Sequence, residues 1–371
     1  MDTPVIVSVG NHGCIRQVKQ AIGLRNKARM HFLTHKKPPM GQFFQTAMMW
    51  HNQGQLRSSL RLHENADLFH VHTEPFWFVM TIREVIPDAI VLLDIHDSMM
   101  YRFDEANRQS SEERAAVEQA DGYVYVSDKC KEVTEGWVPS AAKKPSIILP
   151  SYVPERFYKL RCWTRVGGVV NEGRCDIMDA GDYYDYCKYH DLAKVFKSEG
   201  VRFTLYGGNG EERCVSEYKD ADFMGHKPYE EMMKQLGEYD WGLCGNLVPY
   251  PEWDVAFPNK LFEYLAAGIP VVAMNAPVVG EFVEKHGIGI SVSSVQELKA
   301  RWDERERCQA EVFKKRYQWS MERNVEGLLA LYQELLQPAG GNGRFRLPRQ
   351  SKTQGRRKTR CPVSRPTMAR A

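Results

Sequence analysis

Short runs rich in valine and isoleucine alternate with amphipathic segments along most of the chain, and this alternation constrains the fold more than any other feature. Such runs are typical of parallel strands that helices cover on both faces. The alternation stops at the proline-flanked segment Pro150–Pro154 and then starts again. The sequence therefore predicts an α/β protein built from two tandem Rossmann-like domains, residues 1–152 and 153–337, with a cleft between them.

The strands are predicted from the individual apolar runs, and the last helix from an apolar stripe. In the first domain the predicted strands are Val5–Val9, His31–Thr34, Leu68–Val71, Ile90–Asp94, Tyr123–Val126 and Ile147–Leu149. In the second they are Trp163–Val166, Val201–Tyr206, Tyr239–Leu243, Ile269–Met274 and Gly289–Val292. A last helix is predicted from Met321 to Leu336, and we expect its apolar stripe to pack against the body.

The chain has 371 residues, 43% of them hydrophobic, and this length exceeds the usual size of a single hydrophobic core. No apolar run approaches the roughly 20 residues that cross a bilayer, which argues against a membrane-spanning protein. The N-terminus has no cationic region followed by a cleavable apolar segment, and the nine cysteines include no Cys-x-x-Cys pair. We therefore expect reduced thiols and a cytoplasmic location.

Residues 338–371 form a basic tail with ten lysines or arginines and no acidic residue. Because the whole chain has a net charge of +3, the rest of it carries −7, from 40 basic and 47 acidic residues. The tail has too few large apolar residues to fold alone, so it is predicted to be disordered. Either it contacts nucleic acid or an anionic membrane surface, or it is only a solubilising extension.

The segment Phe257–Ala273 has the residue pattern of a helix followed by a buried strand. Pro258 suits the first helical turn, and Gly268 suits a C-terminal cap. Lys260 and Glu263 fall on one face near the helix start, where free N–H groups and the helix dipole favour a phosphate. Lys260 can neutralise a diphosphate, and Glu263 can accept hydrogen bonds from a diol such as ribose. The alternative is an exposed ion-pairing face.

This segment resembles the nucleotide-binding helix of GT-B glycosyltransferases, especially the retaining family numbered four, and the similarity extends over the body of the chain. In that family a carboxylate five residues before the helix-ending glycine binds the donor ribose, which is the spacing of Glu263 and Gly268. The resemblance implies a GT-B fold and transfer of a sugar, with retention, from a nucleotide-diphosphate sugar. We expect no metal cofactor. The expected donor-binding residues are Gly167, Gly168, Arg174, Gly207, Gly208, His226, Asn259, Lys260 and Glu263.

Two positions depart from the family's pattern. Family members commonly carry a second glutamate eight residues before the ribose carboxylate, and that position here is Val255, followed by Ala256. The diphosphate-binding arginine and lysine of the loop after the first strand have no clear match, and Arg174 is the nearest basic residue, ahead of Arg165. The donor sugar and the retaining outcome are therefore left open. A catalytically degenerate sugar-nucleotide-binding protein is an alternative.

The first domain is expected on the acceptor side of the cleft. Asn11, His12 and Gly13 follow the first strand, where glycine lets the backbone approach a ligand; a tight strand-to-helix turn is the alternative. His96, at the end of a buried strand, resembles the family histidine that contacts the donor sugar. His96 and Asp97 are the candidate catalytic residues if the enzyme inverts configuration. The sequence does not identify the acceptor, which is a glycan, lipid-linked sugar, protein or nucleic-acid base.

A metal-dependent hydrolase is the main rival hypothesis. His70 and His72 fall on the same side of a strand, and with Asp94, His96 and Asp97 they can form a metal site. A sugar-nucleotide epimerase on a similar scaffold is a further alternative. Dependence on a metal and turnover without an acceptor distinguish both from a glycosyltransferase.

Overall fold

The computed structural model describes residues 3–11, 15–37, 40–73, 75–99, 108–158, 165–175, 187–207, 211–255 and 257–337. Residues Met1–Leu336 form one compact unit, and the elements below all belong to it. The predicted basic tail, 338–371, lies outside the described residues. No helix within the described ranges is both long and apolar enough to span a lipid bilayer.

The first sheet has seven strands, and every neighbouring pair is parallel. They are β1 (Val5–Gly10), β2 (Arg29–Thr34), β3 (Thr46–Met49), β4 (Leu68–His72), β5 (Val91–Ile95), β6 (Gly122–Tyr125) and β7 (Ser146–Ile148). Their order in the sheet is β3-β2-β1-β4-β5-β6-β7. The central strands β4 and β5 are buried at every position, which explains their continuous apolar runs.

The second sheet has six strands, again all parallel. They are β8 (Val169–Asn171), β9 (Phe203–Tyr206), β10 (Asp222–Gly225), β11 (Trp241–Gly245), β12 (Val271–Met274) and β13 (Gly289–Val292). Their order is β10-β9-β8-β11-β12-β13. In both sheets the first and fourth strands are neighbours at the centre, so the connections diverge there and leave a crevice at the carboxyl ends of the strands.

Helices connect the strands and cover the sheets. In the described ranges they are α1 (Ile15–Gly23), α2 (Gln53–Leu62), α3 (Trp77–Val85), α4 (Arg108–Gln119), α5 (Asp128–Trp137), α6 (His190–Ser198), α7 (Glu211–Glu217), α8 (Tyr229–Gln235), α9 (Asn259–Ala267), α10 (Pro277–His286), α11 (Val295–Ala300), α12 (Glu304–Lys315) and α13 (Met321–Leu336). The two parallel sheets with their helices confirm the predicted pair of Rossmann-like arrangements.

The terminal helix α13 has the predicted bounds and returns to the first sheet, where it packs against α1 and β7. At the end of α1, a Cβ atom on Gly23 would lie 2.6 Å from Cγ of Met321, so glycine permits this close crossing. The backbone N–H of Met321 donates to the carbonyl of Val153 at 3.1 Å. The segment predicted as a linker and the start of α13 therefore lie side by side. The buried side chains of α13 include Val325, Leu328, Leu331 and Tyr332.

The prediction of a strand at Trp163–Val166 is wrong. Arg165 and Val166 are not in a strand, and the first strand of the second sheet is β8, which begins after Gly168. Two strands, β3 and β10, have no counterpart among the predicted ones. Both lie at a sheet edge, and most of their residues are exposed, so they lack the buried apolar run that identifies a central strand.

Candidate functional site

A cleft of about 740 Å³ lies at the carboxyl ends of the strands of both sheets. Its second-sheet side consists of the loops after β8, β9 and β10 and the start of α9, and its first-sheet side includes residues that follow β5, β6 and β7. Ligands of open parallel sheets bind in this position. The sequence-predicted site residues that line the cleft are His96, Asp97, Arg174, Gly207, His226, Asn259, Lys260 and Glu263.

The helix α9 begins at the cleft with Asn259. Pro258 precedes it in an extended conformation and provides no side-chain cap, and the first turn contains no acidic residue. The first-turn N–H groups and the helix dipole therefore favour an anion at this end. The helix ends at Gly268, whose φ of 86° favours glycine, as predicted for the C-terminal cap.

Lys260 and Glu263 both lie on the cleft side of α9, and both are buried, with exposed fractions of 8% and 1%. The alternative interpretation, an exposed ion-pairing face, is therefore wrong. The ammonium group of Lys260 donates to Oδ1 of Asn171 at 2.7 Å and to the hydroxyl of Tyr189 at 3.4 Å. These contacts hold the Lys260 charge at the carboxyl end of β8.

Two glycines bring the loops after β8 and β9 into contact. Gly173 has a φ of 108° and Gly207 a φ of 113°, which are conformations that disfavour other residues. A Cβ atom on Gly207 would lie 1.7 Å from the carbonyl oxygen of Gly173, so only glycine fits there. Arg174 follows Gly173 and lines the cleft beside Lys260. This loop, Glu172–Arg174, lies where the sequence predicts a glycine loop near the donor diphosphate.

Gly167 and Gly168 were expected in that role, and the structure places them elsewhere. They precede β8 instead of following a strand, so they lie at the amino end of the sheet. The N–H of Gly168 donates to the carboxylate of Asp240 at 2.8 Å, and a Cβ atom on Gly168 would lie 2.5 Å from the carbonyl oxygen of Arg202. Neither glycine lines the cleft. The predicted Gly208 lies outside the described residues.

Glu263 takes part in a buried charge network between the two sheets. Nζ of Lys19, on α1, lies 2.7 Å from Oε1 of Glu263, and both side chains are almost fully buried. Burial raises the pKa of Glu172 well above its usual range, and the adjacent Glu263 raises it further. Burial also opposes ionisation of Glu263, but the charge of Lys19 and hydrogen bonds from Glu172 and Lys19 outweigh it and lower the pKa of Glu263. These opposite pKa shifts favour the neutral form of Glu172 and the charged form of Glu263.

The loop after β10 forms another wall of the cleft. Gly225 ends the strand with a φ of 65°, and the next residues, His226 to Glu230, all line the cleft. Tyr206, at the end of β9, also lines it, and its hydroxyl lies 3.0 Å from both Oε1 of Gln235 and the hydroxyl of Tyr239. His226, one of the expected donor-binding residues, belongs to this wall.

On the first-sheet side, His96 and Asp97 follow β5 and line the cleft. The backbone N–H of His96 donates to Oγ1 of Thr73 at 3.4 Å, and Nε2 of His96 lies 3.6 Å from Oδ2 of Asp97. Asn11 follows β1, and its carbonyl accepts from the N–H of His35 at 3.0 Å, but it does not line the cleft. His12 and Gly13 lie outside the described residues.

The rival metal ligands His70, His72 and Asp94 do lie together, with ligand atoms within 4.8 Å of one another, and all three are fully buried. Both carboxylate oxygens of Asp94 also contact Nε of Arg16, at 2.9 and 3.0 Å, and one accepts from Gln20 at 2.7 Å. Burial lowers the pKa of both histidines, which favours their neutral forms. Because Arg16 already balances the only negative charge of the cluster, a divalent cation would add uncompensated buried charge.

Val255, at the position of the family's second glutamate, is buried against the core of the first sheet. Its carbonyl accepts a hydrogen bond from the hydroxyl of Ser127, which begins α5 as its N-cap. No carboxylate is available from this position, so any contact of a donor sugar here would be made by apolar or backbone groups.

Comparisons with known proteins agree with this architecture. Residues 180–327 match the model of the family described as the glucosyltransferase 3-like C-terminal domain. Sucrose-phosphate synthase from Thermosynechococcus elongatus is similar in structure, with a TM-score of 0.65 and 15% identity over 90% of this chain and 99% of that one. No curated protein sequence matches the chain.

Two further solved structures are similar over most of their length. HepE from Anabaena, in complex with UDP and glucose, has a TM-score of 0.65 and 13% identity over 88% of this chain and 99% of its own. A glycosyltransferase from Rickettsia africae ESF-5 has a TM-score of 0.62 and 11% identity over 91% and 100%. These similarities establish the fold. The chain therefore has the fold of GT-B glycosyltransferases, and its residues 180–327 are similar to a glucosyltransferase 3-like C-terminal domain.

Three residues of the buried network, Arg16, Lys19 and Glu172, were not predicted from the sequence. Arg16, Lys19 and Gln20 follow the i, i+3, i+4 spacing of one helical face, and all are fully or almost fully buried. A polar face on the first helix after a central strand is the signal that sequence reasoning overlooked. Glu172 gave no signal, because its position depends on where β8 begins.

Proposed function

We propose that the protein transfers a sugar from a nucleotide-diphosphate sugar to an acceptor bound on the first-sheet side of the cleft. One observation carries this proposal: the uncapped start of α9, with Lys260 and Glu263, shares a cleft with His96 and Asp97 of the other sheet. In this assignment the diphosphate lies against the α9 start, Lys260 and Arg174, and the ribose hydroxyls bind Glu263. The base lies along the wall from His226 to Glu230.

UDP is the first nucleotide to test, because the structure of HepE contains UDP. The chemistry of transfer develops negative charge on the departing diphosphate, so stabilising that leaving group is the main catalytic task. The buried Lys260, the exposed Arg174 and the N–H groups of α9 supply positive charge at the cleft, which supports a mechanism that needs no metal ion. Retention of configuration is the outcome that the family resemblance implies.

The alternative functions would depend on different residues. A metal hydrolase would use His70, His72 and Asp94, and Arg16 already balances the charge of Asp94. A catalytically degenerate binding protein would use Lys260 and Glu263 for the nucleotide but would cleave no donor, and Val255 is the observation that favours it. The acceptor is a glycan, lipid-linked sugar, protein or nucleic-acid base, and the basic tail favours one on nucleic acid or an anionic membrane surface.

We also propose a cytoplasmic location. The cysteines in the described ranges form no disulfide with one another and are all buried, which suits a reducing compartment.

A thermal-shift screen with UDP-, GDP-, TDP-, ADP- and CMP-sugars tests the donor site. A ligand present at 100 times its dissociation constant stabilises the native state by about 2.7 kcal/mol. We expect one nucleotide class to raise the melting temperature of the wild type but not of Lys260→Ala or Glu263→Ala. Lys194→Ala, which removes an exposed lysine from α6, is the matched control and should respond like the wild type.

The next measurement is release of the nucleoside diphosphate from the sugar nucleotide that stabilises the protein. An enzyme releases it, and a binding protein does not. Release that persists in EDTA supports metal-independent transfer, whereas release that requires a divalent cation supports the hydrolase. Stabilisation without any release, over a panel of acceptor classes, would favour the degenerate binding protein. No stabilisation by any nucleotide would contradict the proposed donor site.

A further inference from the structure

The carboxylate assigned to the donor ribose contacts a lysine from the opposite sheet. Lys19 lies on α1, and its Nζ is 2.7 Å from Glu263, 3.4 Å from the carbonyl oxygen of Ser151 and 5.7 Å from the ring centre of Tyr229. Its side chain is fully buried. A buried lysine is stable only with such partners, so its charge must be matched by Glu263.

The helix that carries Lys19 is itself fixed to the first sheet. One turn earlier, Arg16 donates to Asp94, to the hydroxyl of Ser151 at 3.0 Å and to the carbonyl of Leu149 at 2.6 Å. The amide of Gln20 also donates to Asp94. These bonds leave Lys19 little freedom, so the first sheet supplies a positioned charge to the second-sheet site.

The second partner of Glu263 is the carboxyl group of Glu172, in the loop after β8. Two carboxylates are both hydrogen-bond acceptors, so their direct contact requires a proton on one of them. Lys19 lies at hydrogen-bond distance from Glu263, which directs the negative charge to Glu263 and the proton to Glu172. The groups that face this pair are Lys19 from α1, Tyr229 from α8 and Lys260 from α9.

We propose that Lys19 and Glu172 are positioning residues of the nucleotide site: Lys19 keeps Glu263 charged and oriented as the acceptor of the ribose hydroxyls, and Glu172 is its neutral partner. The inference rests on the proposed function, because it assumes that Glu263 binds ribose. It makes the donor site a product of both sheets, since the second sheet alone lacks the charge that keeps Glu263 ionised.

The test compares nucleotide binding by the wild type, Lys19→Met, Lys19→Arg and the matched control Lys194→Met. Dissociation constants for UDP, GDP and ADP are measured by calorimetry from about pH 6 to about pH 9. At each pH, the dissociation constant of the variant is divided by that of the wild type, so that the effect of titrating the nucleotide's own phosphate cancels. Circular dichroism establishes that each variant is folded, and Lys19→Arg keeps the test decisive if Lys19→Met does not fold.

Without Lys19, burial and Glu172 raise the pKa of Glu263, so its carboxylate forms only at higher pH. We expect Lys19→Met to bind the nucleotide at least about tenfold more weakly near pH 6.5 and to recover with rising pH, by up to about tenfold per unit. Lys19→Arg should restore most of the affinity. A 2′,3′-dideoxy analogue of the same nucleotide, which lacks the ribose hydroxyls, should bind the wild type and Lys19→Met equally.

A second measurement examines Glu172 without any ligand. A protonated buried carboxyl gives an infrared C=O stretching band that a carboxylate does not give, and we expect this band in the wild type and its loss in Glu172→Gln. Absence of the band in the wild type would overturn the assignment of the proton.

If Lys19→Met loses nucleotide affinity to the same extent at every pH, and equally for the dideoxy analogue, Lys19 is only structural and the inference is overturned. Unchanged nucleotide binding by Lys19→Met would also overturn it. In both cases the proposed function would survive, because the wild type still binds. If the wild type binds none of the three nucleotides and no sugar nucleotide of the thermal-shift screen stabilises it, the proposed function fails and this inference fails with it.

Discussion

At the residue scale, the clearest constraint on the site is the contact between two glycines. Gly207 has a positive φ, and the carbonyl oxygen of Gly173 occupies the space that a Cβ atom on Gly207 would need. Both requirements act at a single position, so the loop after β9 can approach the loop after β8 only with glycine. The close approach narrows the cleft beside Arg174, in the region assigned to the diphosphate.

Gly207→Ala tests this constraint. We expect it to lower the free energy of unfolding by about 1–3 kcal/mol, from backbone strain and displacement of the adjacent loop, and to weaken nucleotide binding. Gly136→Ala is the control, because Gly136 lies in α5 with no atom within 4 Å of an added Cβ, and alanine there should stabilise the protein by about 0.5–1 kcal/mol. Urea denaturation measures both effects. Equal stability of Gly207→Ala and the wild type would contradict the contact.

A second residue-scale prediction concerns the buried ion pair of Arg16 and Asp94. Burial alone would raise the pKa of Asp94, but Arg16, with the neighbouring histidines, holds it well below its usual range. Since the folded-state pKa is depressed, the stabilisation is present above the unfolded value of about 3.9 and is lost as the pH falls through the folded value.

Asp94→Asn should therefore destabilise the protein by about 3–5 kcal/mol at neutral pH, because it leaves Arg16 buried and unmatched. The difference from the wild type should narrow as the pH is lowered below about 5. Denaturant unfolding at several pH values measures it, with the exposed Asp191→Asn as a control. A difference that stays constant with pH would contradict the assigned charge on Asp94.

At the element scale, α13 is the helix that joins the end of the folded chain to the first sheet. Its inward side chains pack on α1 and β7, and the hydroxyl of Tyr332 lies 2.9 Å from Nδ1 of His70 in β4. The helix was predicted with correct bounds, because its apolar stripe is a local pattern. Its packing against the body was predicted, but α1 and β7 as its particular partners were not, because they lie far away in the sequence.

Leu328→Ala and Gly327→Ala, at adjacent positions of α13, should have opposite effects. Leu328 is fully buried, so its truncation should cost about 2–5 kcal/mol through lost packing and a cavity. Gly327 has no atom within 4 Å of an added Cβ, so alanine should stabilise the helix by about 1 kcal/mol. Thermal and urea unfolding measure the pair. Similar stabilities of the two variants would contradict the orientation of α13.

At the scale of the whole molecule, the charges are divided unequally along the chain. The first 337 residues carry −7 and the remaining 34 carry +10. The compact unit ends at Leu336, before the basic segment begins.

Truncation after Gln337 should therefore leave nucleotide-induced stabilisation unchanged and abolish salt-dependent binding to anionic polymers or vesicles. Retention on heparin and sedimentation with phosphatidylserine vesicles, each over a salt series, measure the second effect. If the truncated chain binds as strongly as the full chain, the tail is only a solubilising extension. Loss of nucleotide binding on truncation would instead assign the tail a part in the donor site.

Much of the proposed donor site was predictable because its signals are local. The positions of Lys260, Glu263 and Gly268 follow from one helix with its caps, and the structure brings the first two to the cleft as expected. Gly167 and Gly168 were predicted to follow the first strand of the second sheet, but that strand, β8, begins after them. The loop that follows β8 is therefore Glu172–Arg174, and the sequence did not predict it. A three-residue strand gives too short a pattern for its bounds to be set by sequence alone.

The sequence by itself determined the two parallel sheets, the nucleotide-type helix and the terminal helix, because hydrophobic periodicity and helix caps act between residues a few positions apart. Only the tertiary structure decided the burial of the charges around Glu263 and Asp94. Lys19 and Glu263 are 244 residues apart in the chain, and their contact exists only because folding brings α1 and α9 together. A buried charge is stable only beside its partner, and no local pattern specifies a partner at that distance.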